Sequence, residues 1–413
     1  GIEVARHLRG VPVDVTLVDQ RNFHTFQPLL YQVATAGLDA GDVAHPIRNI
    51  FPGGTNVKVV VGEVVDIDTS ARSVGLRDGR QLGYDTLVIA AGAVTADFGV
   101  PGVAEHALPL KSVDDAVALR RHLLQQFERA DATDGALPAG ALDVVVSGGG
   151  PTGVETAGGI AELYSMVLAD DYPDLPVADA RIVLVEPQQR VLAPFDPKSS
   201  AHATERLAKM GVEVRTGVGI AEVDSDGVTL SDGERIPAAT VVWAAGVHAH
   251  PLAEQLGVEL GRGGRIPVEP DLTVAGLDGV FAIGDIAAAA GDDGAPLPQV
   301  AQPAIQGGKH VAEQIHRHLD GRPTESFRYV DKGSMATIGR HSAVTELPNG
   351  WRFQGFVGWL AWLGLHLVYL MGFRNRVSVF VNWCWNYLTY DRANRLLSRN
   401  DLAGDASARP TAS

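Results

Sequence analysis

Residues 144–158 read VVVSGGGPTGVETAG, and this stretch decides the fold. Three consecutive valines lead into Gly148, Gly150 and Gly153 at G-x-G-x-x-G spacing, and the residues after Gly153 are typical of a helix. A dinucleotide site needs this order of strand, glycine turn and helix, because glycines let backbone N–H groups approach the pyrophosphate and the helix dipole faces its charge. The stretch therefore predicts a dinucleotide-binding α/β unit, although the glycine pattern alone is weak evidence.

A second strand, residues 181–185, ends in Glu186. A carboxylate at this position accepts hydrogen bonds from ribose hydroxyls and repels a 2′-phosphate, so it favours NAD(H) over NADP(H). The distance from Gly153 to Glu186 exceeds the usual spacing of about 20 residues. We attribute the excess to a polar loop over residues 169–180, ADDYPDLPVADA.

Composition limits the classes of function. The chain has 413 residues, enough for two or three domains, and 47 of them are glycines, which suits several glycine turns. The net charge of −15 argues against nucleic-acid binding, and the single cysteine, Cys384, excludes an intrachain disulfide and a C-x-x-C redox pair. We predict no metal site, because the candidate histidines lack a cysteine or carboxylate cluster; they are His248, His250, His310, His316 and His318.

An internal repeat indicates that the chain contains two nucleotide-binding units. Residues 74–92 (VGLRDGRQLGYDTLVIAAG) align without a gap with residues 228–246 (VTLSDGERIPAATVVWAAG), and nine of the nineteen positions are identical. A period of about 150 residues, present twice, excludes a solenoid, whose repeats are about 20 to 50 residues long. Each copy ends in A-A-G after a strand, and the candidate cofactor-binding residues there are Ala91, Gly92, Ala245 and Gly246.

The first residues of the sequence fit the end of another glycine fingerprint. Gly1 is followed by a helical pattern and by a strand that ends in Asp19, 18 residues later, close to the glycine-to-acid spacing of the fingerprint. We therefore interpret Gly1 as the last glycine of a fingerprint whose strand and other glycines would precede it, and Asp19 as a ribose ligand. Taken alone, Asp19 fits a polar cap after an edge strand equally well. The repeat favours the ribose ligand, because Gly1 corresponds to Gly153 and Asp19 to Glu186.

A third candidate strand end follows the second copy of the repeat. The apolar strand 280–283 ends in Gly284 and Asp285, where a helix can begin. A carboxylate at such an edge can bind sugar or ribityl hydroxyls. A simple turn aspartate is the alternative, and the repeat makes it the poorer one.

The chain resembles the flavoprotein oxidoreductases with two dinucleotide-binding domains, and over essentially its whole length it is similar to type II NADH dehydrogenases. The stretches that carry this resemblance are GGGPTGVETAG (148–158), FQPLLYQVATAGL (26–38), VAQPAIQGG (300–308), DKGSMATIGR (331–340), GFRNR (372–376) and NWCWNYLTYDRANRLL (382–397). The resemblance implies an α/β fold with two Rossmann-like domains, in which an NADH domain interrupts an FAD domain. It implies an FAD domain at 1–110 and 250–325, an NADH domain at 111–249 and a C-terminal membrane-associating helical region at 326–413.

The resemblance also implies a reaction. A hydride passes from NADH to FAD, and two electrons pass on to a membrane quinone, menaquinone or ubiquinone, without proton pumping. The enzyme would be a homodimer on the cytoplasmic face of the cell membrane. Family members place a carboxylate near the nicotinamide, and in this chain the corresponding residue is Glu155. The alternative is that Glu155 is an acid in the first helical turn that interacts with the helix dipole.

The same resemblance assigns three further catalytic residues. Gln302 and Gln306 belong to an A-Q-x-A-x-Q motif that lines the tunnel between quinone and flavin, and their spacing puts both on one side of a helix running from about 300 to 318. Solvent-facing glutamines are the alternative. Lys332 lies near the flavin or the quinone in this interpretation, and an ordinary surface lysine fits equally well.

The residue pattern of the C-terminal region predicts contact with a membrane. Residues 356–373 (FVGWLAWLGLHLVYLMGF) carry no formal charge but are borderline for a spanning helix, and we interpret them as a buried or interfacial helix. Residues 374–399 contain five arginines against one acid, Asp391, with aromatic residues between them, a pattern typical of helices that bind in the headgroup plane. A dimer interface is the alternative, and both can hold. We expect residues 401–413 to be disordered.

Two other functions stay open at this point. A soluble NADH-dependent reductase of a small electron carrier, such as a ferredoxin, would explain the fingerprints but not the aromatic, arginine-bearing C-terminal region. A nucleotide-sensing protein would keep the fold without turnover. Sulfide:quinone reductase is disfavoured, because it needs reactive cysteines and this chain has one cysteine in all.

Overall fold

The computed structural model describes residues 1–53, 56–292, 294–389, 392, 394–398 and 401. The helices are α1 Ile2–His7, α2 Leu30–Ala34, α3 Ala40–Val43, α4 Ile47–Ile50, α5 Val103–His106, α6 Val113–Asp131, α7 Pro151–Leu163, α8 Ala169–Asp171, α9 Pro197–Lys209, α10 Ala301–Leu319, α11 Gly355–Tyr369 and α12 Phe373–Thr389. The strands are β1 Val15–Asp19, β2 Phe23–Thr25, β3 Ala44–Pro46, β4 Val57–Val61, β5 Val64–Asp68, β6 Ser73–Leu76, β7 Gln81–Gly83, β8 Leu87–Ile89, β9 Ala93–Thr95, β10 Leu108–Pro109, β11 Val144–Ser147, β12 Ile182–Glu186, β13 Val212–Thr216, β14 Ile220–Asp224, β15 Gly227–Leu230, β16 Arg235–Pro237, β17 Thr240–Trp243, β18 Val247–Ala249, β19 Val280–Ala282, β20 Ser334–Thr337, β21 Ala343–Glu346 and β22 Arg352–Gln354. The predicted α/β class is confirmed.

The chain forms two compact units, each built from separate segments. The first unit consists of Gly1–His24, Pro46–Ala96 and Val247–Lys332, and the second of Thr25–His45, Asp97–Gly246 and Gly333–Ser413. The second unit therefore contains the 144–158 stretch together with the C-terminal region. The domain boundaries given above remain predictions.

The second unit is built on a five-stranded parallel sheet with strand order β10-β17-β11-β12-β13. Every residue of β11 and β12 is buried, which explains why both read as continuous apolar runs rather than alternating patterns. Val183 and Trp243 of this sheet share one core with Val228 and Ile236 of the antiparallel sheet β14-β15-β16. The carboxyl ends of β17, β11 and β12 lie side by side, so the residues that follow these strands meet at one edge.

The first unit contains two parallel strand pairs, β1 with β4 and β8 with β19. Helix α1 begins beside both pairs: a Cβ atom at Gly1 would lie 3.5 Å from Leu17 of β1 and 3.6 Å from Ala90, which follows β8. The apolar face of α10 packs with α1 in a common core. Because α10 spans Ala301–Leu319, the helix predicted from about 300 to 318 is confirmed.

The internal repeat is visible in the structure as two matching antiparallel sheets. The first unit carries β5-β6-β7 and the second carries β14-β15-β16. Both sheets have the same irregularity in their first strand, between Val64 and Asp66 in one and between Ile220 and Glu222 in the other. Each sheet is followed by the strand that leads to an A-A-G sequence, β8 or β17. The repeat is therefore a repeat of structure as well as of sequence.

Two predicted segments differ from the structure. The polar loop expected at 169–180 begins later, because a π-helical turn, Tyr164–Leu168, joins α7 to α8 and the helix continues to Asp171. Buried Leu168 extends the apolar face of this helix, which outweighs the polar residues after it. The uncharged segment 356–373 is not one helix, since α11 ends at Tyr369 and α12 begins at Phe373.

Within the described part of the chain, we find no helix whose length and apolarity together would let it cross a bilayer. Helix α11 is strongly apolar but contains only 15 residues. Of the segment expected to be disordered, 402–413 lies outside the described residues, as do Asp391 and Arg399.

Candidate functional site

The glycine fingerprint of the second unit forms the turn between β11 and α7. Gly148 has a φ of +102°, and a Cβ atom there would lie 2.6 Å from the carbonyl oxygen of Ala244. A Cβ atom at Gly153 would collide with the carbonyl oxygen of Gly148, so this glycine lets helix and turn pack closely. At Gly150, just before α7, no atom of the described residues lies within 4 Å of a built Cβ. The backbone of Gly150 is therefore open to a pyrophosphate.

Glu186 ends the neighbouring strand β12 and lies at the same turn. Its buried carboxylate accepts hydrogen bonds from the N–H of Gly149, at 2.6 Å, and from the N–H of Gln188, at 2.8 Å. The carbonyl oxygen of Gly149 in turn accepts from the N–H of Leu192, at 2.7 Å. The structure thus brings Glu186 to the glycine turn. Leu192, whose φ is +49°, is a residue of this site that the sequence motif did not reveal.

The A-A-G sequence of the second unit follows β17, on the side of β11 that is opposite to β12. The Cα atom of Ala245 would lie 2.7 Å from a Cβ atom built at Gly148, so the two turns are in contact. Gly246 has a φ of +144°, which a residue with a side chain rarely adopts. Across the sheet edge, Gly246, the glycine turn and Glu186 therefore follow one another in that order.

Glu155 is the fifth residue of α7 and lies in its second turn, so the prediction of a first-turn position is wrong. The difference arises because the helix already begins at Pro151. The side chain is buried, and its carboxyl group accepts hydrogen bonds from the N–H of Thr337, at 3.1 Å, and from Trp362. Burial raises the pKa of Glu155 to about 8. These contacts weaken the alternative of an acid that only interacts with the helix dipole.

The residues around Glu155 have no counterpart in the fingerprint. Tyr31 of α2 is hydrogen-bonded to the Thr337 hydroxyl, with 3.0 Å between their oxygens, and its ring lies 6.4 Å from that of the fully buried Trp362. Gln32 donates a hydrogen bond to the Tyr31 oxygen at 2.9 Å. Burial and the nearby carboxyl group of Glu155 both raise the pKa of Tyr31. Tyr31 and Thr337 fall inside the stretches 26–38 and 331–340 that carried the family resemblance, which was their only signal in the sequence.

Helix α7 makes a second polar contact two turns further on, at Glu162. Its carboxylate forms a buried ion pair with Arg392, at 2.9 Å, and also accepts from the N–H of Arg340. Arg392 donates in addition to the carbonyl oxygens of Thr35, at 2.7 Å, and Gly159, at 3.2 Å. The interpretation of the arginines in 374–399 as headgroup ligands is therefore wrong for Arg392.

Arg395 differs from that interpretation in the same way. Its guanidinium lies 2.9 Å from the carboxylate of Asp171, at the end of α8. The physical reason is proximity: the segment after α12 contacts the buried and acidic side of the α7–α8 helix. Arg374 and Arg376, at the start of α12, are exposed.

In the first unit, Asp19 ends β1 and accepts a hydrogen bond from the N–H of Arg21 at 2.8 Å. Burial raises the pKa of Asp19 above its ordinary value. The parallel pairing of Ile89 with Ala282 brings the end of β8 beside the end of β19. As a result, Ala91 and Gly92 share one edge of the unit with Gly284 and Asp285.

Gln302 and Gln306 lie on one side of α10, as their spacing predicted. The side-chain amide of Gln306 donates to the carbonyl oxygen of Val330 and accepts from the N–H of Val330, both at 2.9 Å. It also donates to the side-chain oxygen of Gln302, at 3.3 Å. Both glutamines are half-buried. Lys332 is exposed.

Two of the candidate histidines, His248 and His250, make ordinary hydrogen bonds. Nδ1 of His248 lies 2.8 Å from the carbonyl oxygen of Ala249, and Nδ1 of His250 accepts from the N–H of Leu252 at 3.2 Å. Among the residues that the structure describes, no group of three or more histidine, cysteine or acidic side chains is arranged to hold a metal ion.

Comparison with known proteins adds independent findings. Residues 1–308 match the family described as pyridine nucleotide-disulphide oxidoreductase, and residues 332–390 match the family described as the NDH2 C-terminal domain. The chain is 41% identical over 407 residues to a type II NADH:quinone oxidoreductase of Mycobacterium tuberculosis, an alignment that covers 95% of this chain and 87% of the relative. It is 34% identical over 340 residues to the type II NADH:quinone oxidoreductase of Staphylococcus aureus, an alignment that covers 80% of this chain and 82% of the relative.

The fold is similar to that of NDH2 from Plasmodium falciparum in complex with NADH. The TM-score is 0.87 at 20% sequence identity, over 95% of this chain and 97% of the other. At that identity the likeness concerns the fold alone. The C-terminal family match includes α11 and α12, the part of the chain that a soluble reductase of an electron carrier leaves unexplained.

Proposed function

The chain belongs to the type II NADH:quinone oxidoreductases, and on that premise we propose how its own residues serve the reaction. It is a flavoprotein that transfers electrons from NADH to a quinone. When bound, FAD accepts the hydride of NADH and passes two electrons to the quinone. The observation that carries the proposal is the buried carboxyl group of Glu155, on the helix that begins at the NADH glycine turn.

The first unit is proposed to hold FAD at the shared edge of its parallel strands. Its residues fit the group: Asp19 presents a carboxylate at the end of β1, and Gly92 and Gly284 have φ values of +74° and +73° at the neighbouring strand ends. At Gly92 a built Cβ meets no atom of the described residues within 4 Å, which leaves room beside the backbone. The proposed FAD-binding residues are Gly1, Asp19, Ala91, Gly92, Gly284 and Asp285.

The second unit is proposed to bind NADH at the edge formed by β17, β11 and β12. The open backbone of Gly150 and the close packing at Gly148 and Gly153 suit a pyrophosphate. Glu186 is placed to accept from the ribose hydroxyls and to disfavour a 2′-phosphate. Ala245 and Gly246 complete this edge.

Glu155 is proposed to hold the proton that the overall reaction consumes. Reduction of a quinone by NADH takes up one proton in addition to the hydride, so a site that is protonated near neutral pH is useful. With a pKa of about 8, caused by burial, the Glu155 carboxyl group carries a proton at pH 7. The N–H of Thr337 and the indole of Trp362 orient this group.

Gln302 and Gln306 are proposed to line the path of the quinone toward the flavin. The contacts of Gln306 with Val330 support a fixed orientation, because both its donor and its acceptor group are engaged. Lys332, which is exposed, is proposed to act at the same end of the first unit.

Helices α11 and α12 are proposed to bind the surface of a membrane. Large apolar side chains are exposed on both helices, which is unusual for a soluble surface; they include Phe356, Val357, Leu360, Val368, Phe373, Phe380, Val381, Trp385 and Leu388. Arg374 and Arg376 are exposed beside them and suit anionic headgroups. We propose that this surface lies on the cytoplasmic face of the cell membrane, and that the enzyme is a homodimer.

The membrane proposal can be tested with the double variant Phe373→Ser and Leu388→Ser, whose side chains are 82% and 75% exposed. We expect it to lose co-sedimentation with vesicles that contain anionic lipid, while NADH oxidation with a water-soluble quinone is retained. The matched control is Leu319→Ser, an exposed leucine at the end of α10 in the first unit. Vesicle binding equal to that of the wild type would contradict the assignment of α11 and α12.

The electron acceptor is tested by NADH oxidation with a short-chain quinone. We expect turnover that depends on the quinone, with flavin reduction by NADH as the first step. Rapid reduction of a ferredoxin without any turnover on quinone would instead support the soluble reductase.

A further inference from the structure

Phe98 is an exposed aromatic residue in an unfavourable backbone conformation. Its φ is +55°, in the left-handed region that bulky side chains avoid, and 66% of its surface is exposed. Such conformations persist only where the surrounding structure imposes them, and they concentrate at binding sites. Phe98 belongs to the same compact unit as the NADH glycine turn.

A short turn holds this conformation in place. The carboxylate of Asp97 accepts a hydrogen bond from the N–H of Gly99 at 3.0 Å, and the carbonyl of Asp97 accepts from Val100 at 3.1 Å. Gly99 also has a positive φ, of +70°, and Val100 packs against the apolar core of the second unit. The turn therefore directs the Phe98 ring outward, although burial of the ring would be favourable.

The ring lies against Gly246, the last residue of the A-A-G sequence after β17. A Cβ atom at Gly246 would lie 2.9 Å from the tip of the Phe98 ring, so a side chain at position 246 would push the ring away. The exposed aromatic face is thus located at the end of β17, within the NADH-binding edge.

The strand order tells which half of NADH reaches this point. Glu186 on β12 is placed for the adenosine ribose, and the pyrophosphate belongs at the glycine turn after β11. Since β17 lies on the opposite side of β11 from β12, the remaining half of the dinucleotide extends over the end of β17. That half is the nicotinamide riboside.

We propose that Phe98 binds the nicotinamide half of NADH, with its ring packed against the nicotinamide riboside. An aromatic face suits a flat ring, and an apolar side chain there excludes water from the carbon that gives up the hydride. This assignment rests on the proposed NADH site, and it makes Phe98 a substrate-binding residue for the known reaction.

Two ligands and two variants of Phe98 test the proposal on the holoenzyme. Phe98→Gly removes the ring and also relieves the backbone, because glycine adopts a positive φ freely. We expect the melting temperature to stay the same or rise, while the dissociation constant for NADH increases about tenfold. ADP-ribose lacks the nicotinamide, so its dissociation constant is expected to change less than about twofold. Phe98→Tyr keeps an aromatic ring, and its dissociation constant for NADH is expected to stay close to that of the wild type.

The control is Trp351→Ala, an aromatic residue of the same unit that is 64% exposed, and it should change neither affinity. Equal weakening of NADH and ADP-ribose binding by Phe98→Gly would overturn the assignment to the nicotinamide half. Unchanged NADH binding would do the same. If the wild type bound neither ligand, the proposed NADH site itself would fail, which is a result distinct from both.

Discussion

Replacing Glu155 by glutamine tests whether this carboxyl group is protonated in the folded protein at neutral pH. Glutamine has nearly the same size, and its oxygen can accept the hydrogen bond from the N–H of Thr337, but it cannot ionise. We therefore expect the wild type and Glu155→Gln to differ mainly in how their stability depends on pH.

The magnitude follows from the pKa. Burial raises the pKa of Glu155 from 4.5 to about 8. Between these values the folded state binds more protons than the unfolded state, so the free energy of unfolding of the wild type falls as the pH rises. At about 1.4 kcal/mol per pKa unit, the wild type loses about 2 kcal/mol relative to the variant between pH 6 and pH 8, and the difference levels off above pH 8. Because the side chain is only 7% exposed, solvent screening reduces this figure little.

Thermal unfolding of the two holoenzymes from pH 6 to pH 9 measures the effect. For a chain of 413 residues, 2 kcal/mol corresponds to a relative change in Tm of about 2 °C. The control is the variant Glu105→Gln, because Glu105 is an exposed glutamate of the second unit. The Tm of this variant should follow that of the wild type at every pH. Parallel curves for the wild type and Glu155→Gln would refute the protonated carboxyl group. Unchanged hydride transfer and NADH affinity in the variant would refute its role in the reaction.

Three further predictions concern the second unit. Gly150→Ala is expected to fold normally, because the new Cβ would meet no described atom within 4 Å, and to weaken NADH binding about tenfold. Gly153→Ala is expected to reduce folding itself, because the new Cβ would collide with the carbonyl oxygen of Gly148. Circular dichroism, which measures folding, and calorimetric titration, which measures NADH binding, separate the two outcomes. Arg392→Ala leaves the carboxylate of Glu162 buried without its cation, and we expect a loss of about 3–5 kcal/mol in the free energy of unfolding, so an unchanged Tm would contradict the ion pair. Glu186→Ser removes the repulsion of a 2′-phosphate, and the ratio of kcat/KM for NADPH to that for NADH is expected to rise about tenfold; a constant ratio would show that Glu186 does not contact the ribose.

The NADH-binding edge could be predicted from the sequence because its requirements are local. A pyrophosphate turn needs glycine at particular backbone angles and close contacts, as Gly148 and Gly153 show, so the chemistry is written directly into residue types and spacing. The internal repeat also indicated a second nucleotide-binding site, in the first unit, since the same succession of antiparallel sheet and strand recurs at 74–92 and 228–246. Helix α10 was predictable for a similar reason, because its apolar and polar positions follow a helical period.

What the tertiary structure alone decided is the environment of charged side chains. The sequence placed Glu155 after a glycine turn, but burial in the folded chain raises its pKa, and its hydrogen-bond donors Thr337 and Trp362 lie about 180 residues or more further along the chain. Arg392 had the pattern of a headgroup ligand, yet the fold pairs it with Glu162 in a buried ion pair. Burial and long-range pairing have no signal in residue spacing, because they depend on which elements pack together. Backbone geometry is therefore readable from the sequence, whereas the protonation and partners of buried charges had to come from the fold.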